Sequence, residues 1–224
     1  EGLHDLLPPE DLDDVPAPCP SLVTLGQDEM GGWVLVNLEE IGSLAIAADP
    51  DDQQAILAAL ALELVGSSWA DDLRLTLVGV LPDLADVLGS DRIEHVPSLD
   101  RVLAGVMHAS DVHARTLVAA GHDSVISARG TMEATETWTP HLLLLGQNPT
   151  PEQHAELAQL LASTPRLAVA TITTSPKPLS EWVLHVAHQG SAQLEPAGVN
   201  LTPQRINQTE YAALLEAFAT TWAE

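Results

Sequence analysis

Basic residues are scarce in this chain. Lys and Arg together number 8 against 32 Asp and Glu, the formal net charge is −24, and Lys177 is the only lysine. Nucleic acids are held largely through Lys and Arg contacts to phosphate, so no direct nucleic-acid contact is expected of this segment. Adsorption to anionic lipid is opposed in the same way. Cysteine is scarcer still: Cys19 stands alone, which rules out an intramolecular disulfide and gives no sign of an oxidising compartment. No apolar run reaches the ~18 residues of a membrane span. The longest, AILAALALELV, contains Glu63, so no membrane insertion by this segment is expected. A signal-peptide pattern and an initiator Met are also missing, and the chain reads as an excerpt of something longer or a processed product. Its expected location is cytoplasmic, including as the cytoplasmic part of a membrane-anchored protein. Aromatic residues make up only 3% while hydrophobic residues make up 46%, so the core must come from Leu, Val, Ile and Ala. That composition suits an α/β layered domain with buried parallel strands, and 224 residues suffice for one large domain.

Residues 1–20, acidic and rich in proline, read as a linker or a strap over the surface, followed by one domain over 21–224. LVTLG and WVLVNL flank QDEMGG and predict a hairpin turning at Gly31–Gly32. SLAIAA is a short apolar strand, and Asp51–Val65 a helix apolar enough all round to be largely buried. LRLTLVG is a further strand, with a helical piece from Pro82 and a brief strand at RIEHV. Pro97–Ala120 predicts one long helix or two broken near Gly105. HLLLLG and LAVATIT are buried strands, separated by a helix over Thr150–Ser163 with Thr150 as N-cap and Pro151 in its first turn. WVLHVAHQGSAQLEP predicts a hairpin turning at Gln189–Gly190, GVNLTPQRI follows, and a helix from about Asn207 to Trp222 ends the chain. Continuous apolar strands alternating with helices imply a mainly parallel sheet covered on both faces. Ligands of such sheets sit beyond the carboxyl ends of the strands, which brings Ala47–Gln54 and Gly146–Asn148 together as the candidate site.

The stretch IAADPDDQQAIL (Ile46–Leu57) occupies the place of a phosphate-binding loop, yet it has no glycine, lysine, serine or threonine. A P-loop aims backbone N–H groups and a lysine at phosphate, with Ser or Thr on magnesium. Here Asp49 suits an N-cap, Pro50 the first turn, and Asp51 and Asp52 the positive end of the helix dipole. A triphosphate would meet as many as three carboxylates, each pair at ~4 Å costing about 1 kcal/mol in water and about 4 at an effective dielectric of 20. The stretch is either a phosphate loop that has lost its chemistry or a capped helix start that never had any, and both predict an inactive turn.

The order of pieces over residues 20–206 resembles the RecA-like ATPase domains of FtsK-type translocases and EccC-type secretion ATPases. The resemblance rests on a hairpin ending in WVLVNL, a buried helix, LRLTLVG, a long helix with Arg115, the apolar HLLLLGQ and the closing LEPAGVNLTPQRI. The phrases LVTLGQDEMGGWVLVNLEEIGSLAI, WADDLRLTLVG and LEPAGVNLTPQRI further resemble a domain of large actinobacterial proteins. Those combine membrane helices, a LysM module and a bacterial transcriptional activator domain. The resemblance implies a RecA-like three-layer fold with N- and C-terminal hairpins and a C-terminal helix. Carried over position by position, the Walker A glycines fall on Ala47 and Asp52, its lysine on Gln53 and its Ser/Thr on Gln54. The Walker B aspartate falls on Gly146 and the catalytic glutamate on Gln147. Every one departs from the pattern, so no catalytic residue, cofactor or metal is expected.

Other constellations are weak. Asp49, Asp51 and Asp52 lack the glycine and distal glutamate of an EF-hand. His185 and His188 fall on opposite faces of a strand, and His108 and His113 are poorly spaced for one helical face. Ser124 and Ser127 lack a nucleophile elbow, Arg129 falls in an expected loop, and Arg115 suits a salt bridge with Asp111. Trp33, Trp69, Trp138, Trp182 and Trp222 lie mostly at element edges, where Trp222 offers either plain packing or an anchor for a partner. The expectation is a non-catalytic pseudo-ATPase domain. It would serve protein interaction or self-association in a larger, membrane-tethered or free, regulatory protein. The alternative is a sensor that keeps a nucleotide or other small molecule without hydrolysing it.

Overall fold

The computed structural model describes residues 17, 19–67, 73–129, 139–187 and 190–221. Residues 1–16, and with them most of the expected strap, lie outside the described residues, as do Trp69, Trp138, His188, Gln189 and Trp222.

Ten strands form one sheet in the order β2-β1-β10-β9-β8-β3-β7-β6-β4-β5. Six consecutive members run parallel: β8 (Val183–Val186), β3 (Ser43–Ala47), β7 (Val169–Thr173), β6 (His141–Leu145), β4 (Arg74–Val78) and β5 (Ile93–Val96). The remaining four are antiparallel: β9 (Ala192–Glu195), β10 (Val199–Pro203), β1 (Leu22–Asp28) and β2 (Trp33–Asn37). Both expected hairpins are present, and the pairing of β1 with β10 joins them into a single extension of the parallel sheet.

The period of two along each strand splits the core into two layers. Along β6, Leu142 and Leu144 pack in one buried cluster and Leu143 and Leu145 in the other. The first cluster also takes Ile56, Leu57, Leu60 and Leu64 of α2 (Pro50–Gly66), together with Leu84 of α3 (Pro82–Leu88). The second takes Val106 and Leu117 of α4 (Leu103–Ala120) and Leu157 and Leu160 of α6 (Pro151–Leu161). The terminal helix α7 (Gln208–Thr221) lays Tyr211, Leu215 and Phe218 against the first cluster. Helix caps follow from the residues. Thr150 and Gln153 form a capping box on α6, and Asn207 Oδ1 accepts from the Thr209 and Glu210 amides at the start of α7.

Of the two expected arrangements of Pro97–Ala120, the unbroken one holds past Gly105: the chain makes a 3-10 turn over Leu99–Arg101 and then one continuous helix from Leu103. A glycine inside a helix costs only about 1 kcal/mol relative to alanine, which the packing of Leu103 and Val106 offsets. Arg129 is not in a loop: it ends α5 (Val125–Arg129) and reaches Glu39 of the single-turn α1 (Leu38–Ile41). Arg129 Nη1 and Nη2 donate to Glu39 Oε2 and Oε1 at 2.8 and 2.7 Å, with the two side chains 6% and 1% exposed. Beside them the Arg166 guanidinium donates to the Glu39, Glu40 and Leu161 carbonyl oxygens, closing the carbonyl end of α1. Gly42 makes this possible: its φ is +72°, and a Cβ there would sit 2.6 Å from Arg166 Nη2.

Candidate functional site

The carboxyl ends of the parallel strands carry the predicted positions. β3 ends at Ala47 and α2 begins at Pro50, so only Ala48 and Asp49 connect them. Asp49 is the N-cap, and its Oδ1 accepts the Asp52 amide at 3.0 Å. Pro50 stands in the first turn with Asp51 and Asp52, the order expected of a self-capped helix start.

Gln53, at the lysine position of the pattern, turns back toward the sheet. Its Nε2 donates to the Ile46 carbonyl at 3.2 Å and to the Thr174 carbonyl at 3.4 Å. Thr174 in turn donates through its backbone N–H to the Leu145 carbonyl at 3.4 Å. The two predicted regions are therefore brought together through the residue that follows β7, the strand lying between β3 and β6. Ala47 and Gln54 are exposed.

At the end of β6, Gly146 packs against the β4–α3 turn. A Cβ on Gly146 would lie 2.6 Å from Val80 Cβ and 3.1 Å from the Gly79 carbonyl oxygen. Gln147 donates from Nε2 to the Pro97 carbonyl at 3.0 Å, and Gln153 Nε2 reaches Asp100 Oδ1 at 2.6 Å. Glutamine amides thus tie the loops after β3, β7, β5 and β6 to one another.

One member of the site went unforeseen. Arg205, just past β10, pairs through Nη1 with Asp52 Oδ1 at 2.7 Å, and the next amide, Ile206, donates to the Ala55 carbonyl. One of the three carboxylates credited with repelling phosphate is therefore balanced by an arginine. Arg205 Nε and Nη2 are buried and have no hydrogen-bond partner among the described residues. The phrase LTPQRI carried the arginine, but only the sheet's antiparallel extension brings it over α2.

The remaining candidates scatter. Arg115 Nε donates to the Asp111 carbonyl oxygen at 3.0 Å, so the neighbour is as expected but the acceptor is backbone. Ser124 and Ser127 serve the start of α5, with Ser124 Oγ accepting the Ser127 amide. His108 and His113 lie on α4, and burial lowers the His113 pKa. His185 Nε2 stands 3.4 Å from Glu195 Oε2 on half-exposed strands. Trp33 is 60% exposed and Trp182 packs on the first core cluster. Among the described residues no group of three or more His, Cys, Asp or Glu is placed to hold a metal ion. No helix among them is long and apolar enough to cross a membrane.

Missed by sequence reasoning as well was a part-buried polar cluster away from the carboxyl ends of the strands, centred on the buried Thr76. Thr76 Oγ1 donates to Glu94 Oε1 and meets His141 Nε2, both at 2.8 Å. Burial, aided by the Arg74 charge and opposed by Glu94, lowers the His141 pKa to about 4.

The fold is that of an FtsK/RecA-like P-loop ATPase domain, as comparison with solved structures shows. The monomer form of the pCW3 conjugation coupling protein TcpA with ATPγS aligns with a TM-score of 0.64 at 10% identity, covering 94% of this chain and 73% of that one. The cytoplasmic domain of the type VII secretion ATPase EccC from Thermomonospora curvata aligns at 0.63 and 12% identity, covering 98% of this chain and 33% of that one. ATPases 2 and 3 of the same EccC, in complex with a signal sequence peptide, align at 0.56 and 12% identity, covering 91% of this chain and 44% of that one. This chain therefore spans less than half of either EccC structure. No protein-family model matches the sequence, and no curated protein matches it significantly.

Proposed function

We propose that this domain is a non-catalytic member of the FtsK/RecA-like fold, a degenerate P-loop domain. It would act as a protein-interaction or self-association module of a larger cytoplasmic or membrane-anchored regulatory protein. The observation that carries the reading is the two-residue connection between β3 and α2. A phosphate cradle needs a loop of free N–H groups curling around the anion. Here helix begins three residues before Gln53, and the cap amide is already taken by Asp49. The Gln53 side-chain amide is spent on the carbonyls of Ile46 in β3 and of Thr174 just past β7, and Gly146 has Val80 where a metal-binding carboxylate would stand. Without the lysine and the Walker B carboxylate, neither magnesium nor the charge of a transferring phosphoryl group is stabilised. The parent with LysM and transcriptional activator modules remains part of the proposal, and DNA contact in it would come from other regions.

Titration calorimetry of the chain with ATP and magnesium tests this. The expected result is no heat of binding at millimolar nucleotide. A Kd below about 100 µM, several kcal/mol of affinity, overturns the reading.

A second reading, a non-hydrolysing sensor of a small molecule, is favoured by Arg205, whose buried Nε and Nη2 lack partners among the described residues beside the first turn of α2. Thermal shifts across nucleotides and metabolites decide between the two. A ligand-dependent rise abolished by Arg205→Ala supports the sensor, and no rise supports the interaction module.

A further inference from the structure

Four of the seven large apolar side chains exposed among the described residues sit in one hairpin: Leu22 at 42%, Met30 at 95%, Trp33 at 60% and Leu35 at 49%. Exposed apolar side chains gathered in one element mark an interaction site more often than scattered single residues do. The hairpin also borders a groove of about 730 Å³ against the last turns of α2, walled by Cys19, Leu22, Thr24, Leu35, Leu62 and Glu63, among others. Strand β2 is the terminal strand of the sheet, so its outer edge faces no other strand among the described residues. An open edge beside an apolar groove is the geometry by which an extended segment docks, main chain to the edge and alternate side chains into the groove.

Charge selects the partner. Among the described residues no lysine or arginine lines the groove and the one charged wall residue is Glu63, while the chain as a whole carries −24. A second copy carries the same net charge of −24, so the two chains repel as wholes. Glu63 accepts from the Thr24 amide and hydroxyl, which ties its carboxylate to β1.

We propose that this groove docks an extended amphipathic segment of another protein, apolar on the face laid against Leu22, Leu35 and Leu62 and carrying Lys or Arg on the face turned outward. The proposal rests on the interaction-module reading and gives it a surface and a partner chemistry.

The chain reports on its own groove, because Cys19 is its sole cysteine and lies in the wall. Alkylation of Cys19 by iodoacetamide, a neutral reagent, is timed in the full chain with and without two synthetic peptides. One alternates Leu with Lys, the other Leu with Glu. The Leu/Lys peptide is expected to slow alkylation by about tenfold or more at saturation, with protection weakening as salt rises. The Leu/Glu peptide is expected to leave it unchanged. Leu22→Ser with Leu35→Ser, both exposed positions, is expected to abolish protection while circular dichroism stays that of the parent chain.

Equal protection by both peptides, protection that survives the Leu22/Leu35 variant, or none at all overturns the proposal. So does protection that grows with protein concentration alone, which would make a second copy the occupant. So does slow labelling in the chain by itself that is released by Leu3→Ser, Leu6→Ser and Leu7→Ser, which would make the chain's own first residues the occupant. Nucleotide binding at α2 would sink the proposed function without touching the Cys19 result, and failure at Cys19 leaves the nucleotide titration unaffected.

Discussion

Replacing Arg129 by methionine should cost this domain a large share of its stability. The guanidinium donates two bonds of 2.8 and 2.7 Å to Glu39, whose side chain is 1% exposed, and Glu39 also accepts from Ser21 Oγ at 2.9 Å. Arg129→Met removes both charge-assisted bonds and the counter-charge while the carboxylate stays buried. Breaking a buried pair from one side costs about 3–5 kcal/mol. Total stabilities run about 5–15 kcal/mol, so the variant should lose about a fifth or more, and its melting point should drop by about 10 °C. Equilibrium unfolding in urea, with an unchanged m-value, measures the loss. The double variant Arg129→Met with Glu39→Met should be more stable than Arg129→Met alone, because no unpaired charge remains. A single-variant loss below about 1 kcal/mol, or strictly additive losses, would refute the buried pair as the tie between α5 and α1.

Gly146→Ala should destabilise by about 1–3 kcal/mol through overpacking against Val80, readable in the same urea titration. Asn207→Ala, which removes the cap from α7, should cost about 1 kcal/mol and lower helicity at 222 nm. Acid should weaken the fold through His141. Its folded pKa of about 4 lies below the unfolded value near 6.5, so the unfolded chain binds the extra proton between them. Stability is therefore expected to fall as pH drops from about 6.5 toward 4, by about 3 kcal/mol in all, and His141→Gln should flatten that slope.

Much of the architecture was legible because local rules and tertiary burial agree. LAIA, LRLTLV, HLLLL and VATIT are short continuous apolar runs, and the structure buries them as parallel strands with neighbours on both faces. Asp49, Thr150 and Asn207 announce helix starts through side chains that bond only a few residues away. Long-range pairs gave no such signal. Glu39 and Arg129 are 90 residues apart, and nothing in ARGT distinguishes a helix end with a buried partner from a loop. Arg205 is an arginine after a strand until the pairing of β1 with β10 swings it over Asp52. The union of the two hairpins into one sheet was invisible for the same reason, since each turn encodes its own pairing and neither encodes the other.

That union also sets a timetable for the growing chain. Gln27 and Asp28 pair with Thr202 and Leu201, and β3 sits between β7 and β8, which are made much later. An early hairpin and an early apolar strand must therefore stay uncommitted until the segment carrying β10 has been released. At ~5–20 residues per second of synthesis, that leaves strand edges and apolar surface open for many seconds. Folding is then a late, nearly all-or-none event, and a ribosome stalled before residue 200 should carry a chain that chaperones recognise as unfinished.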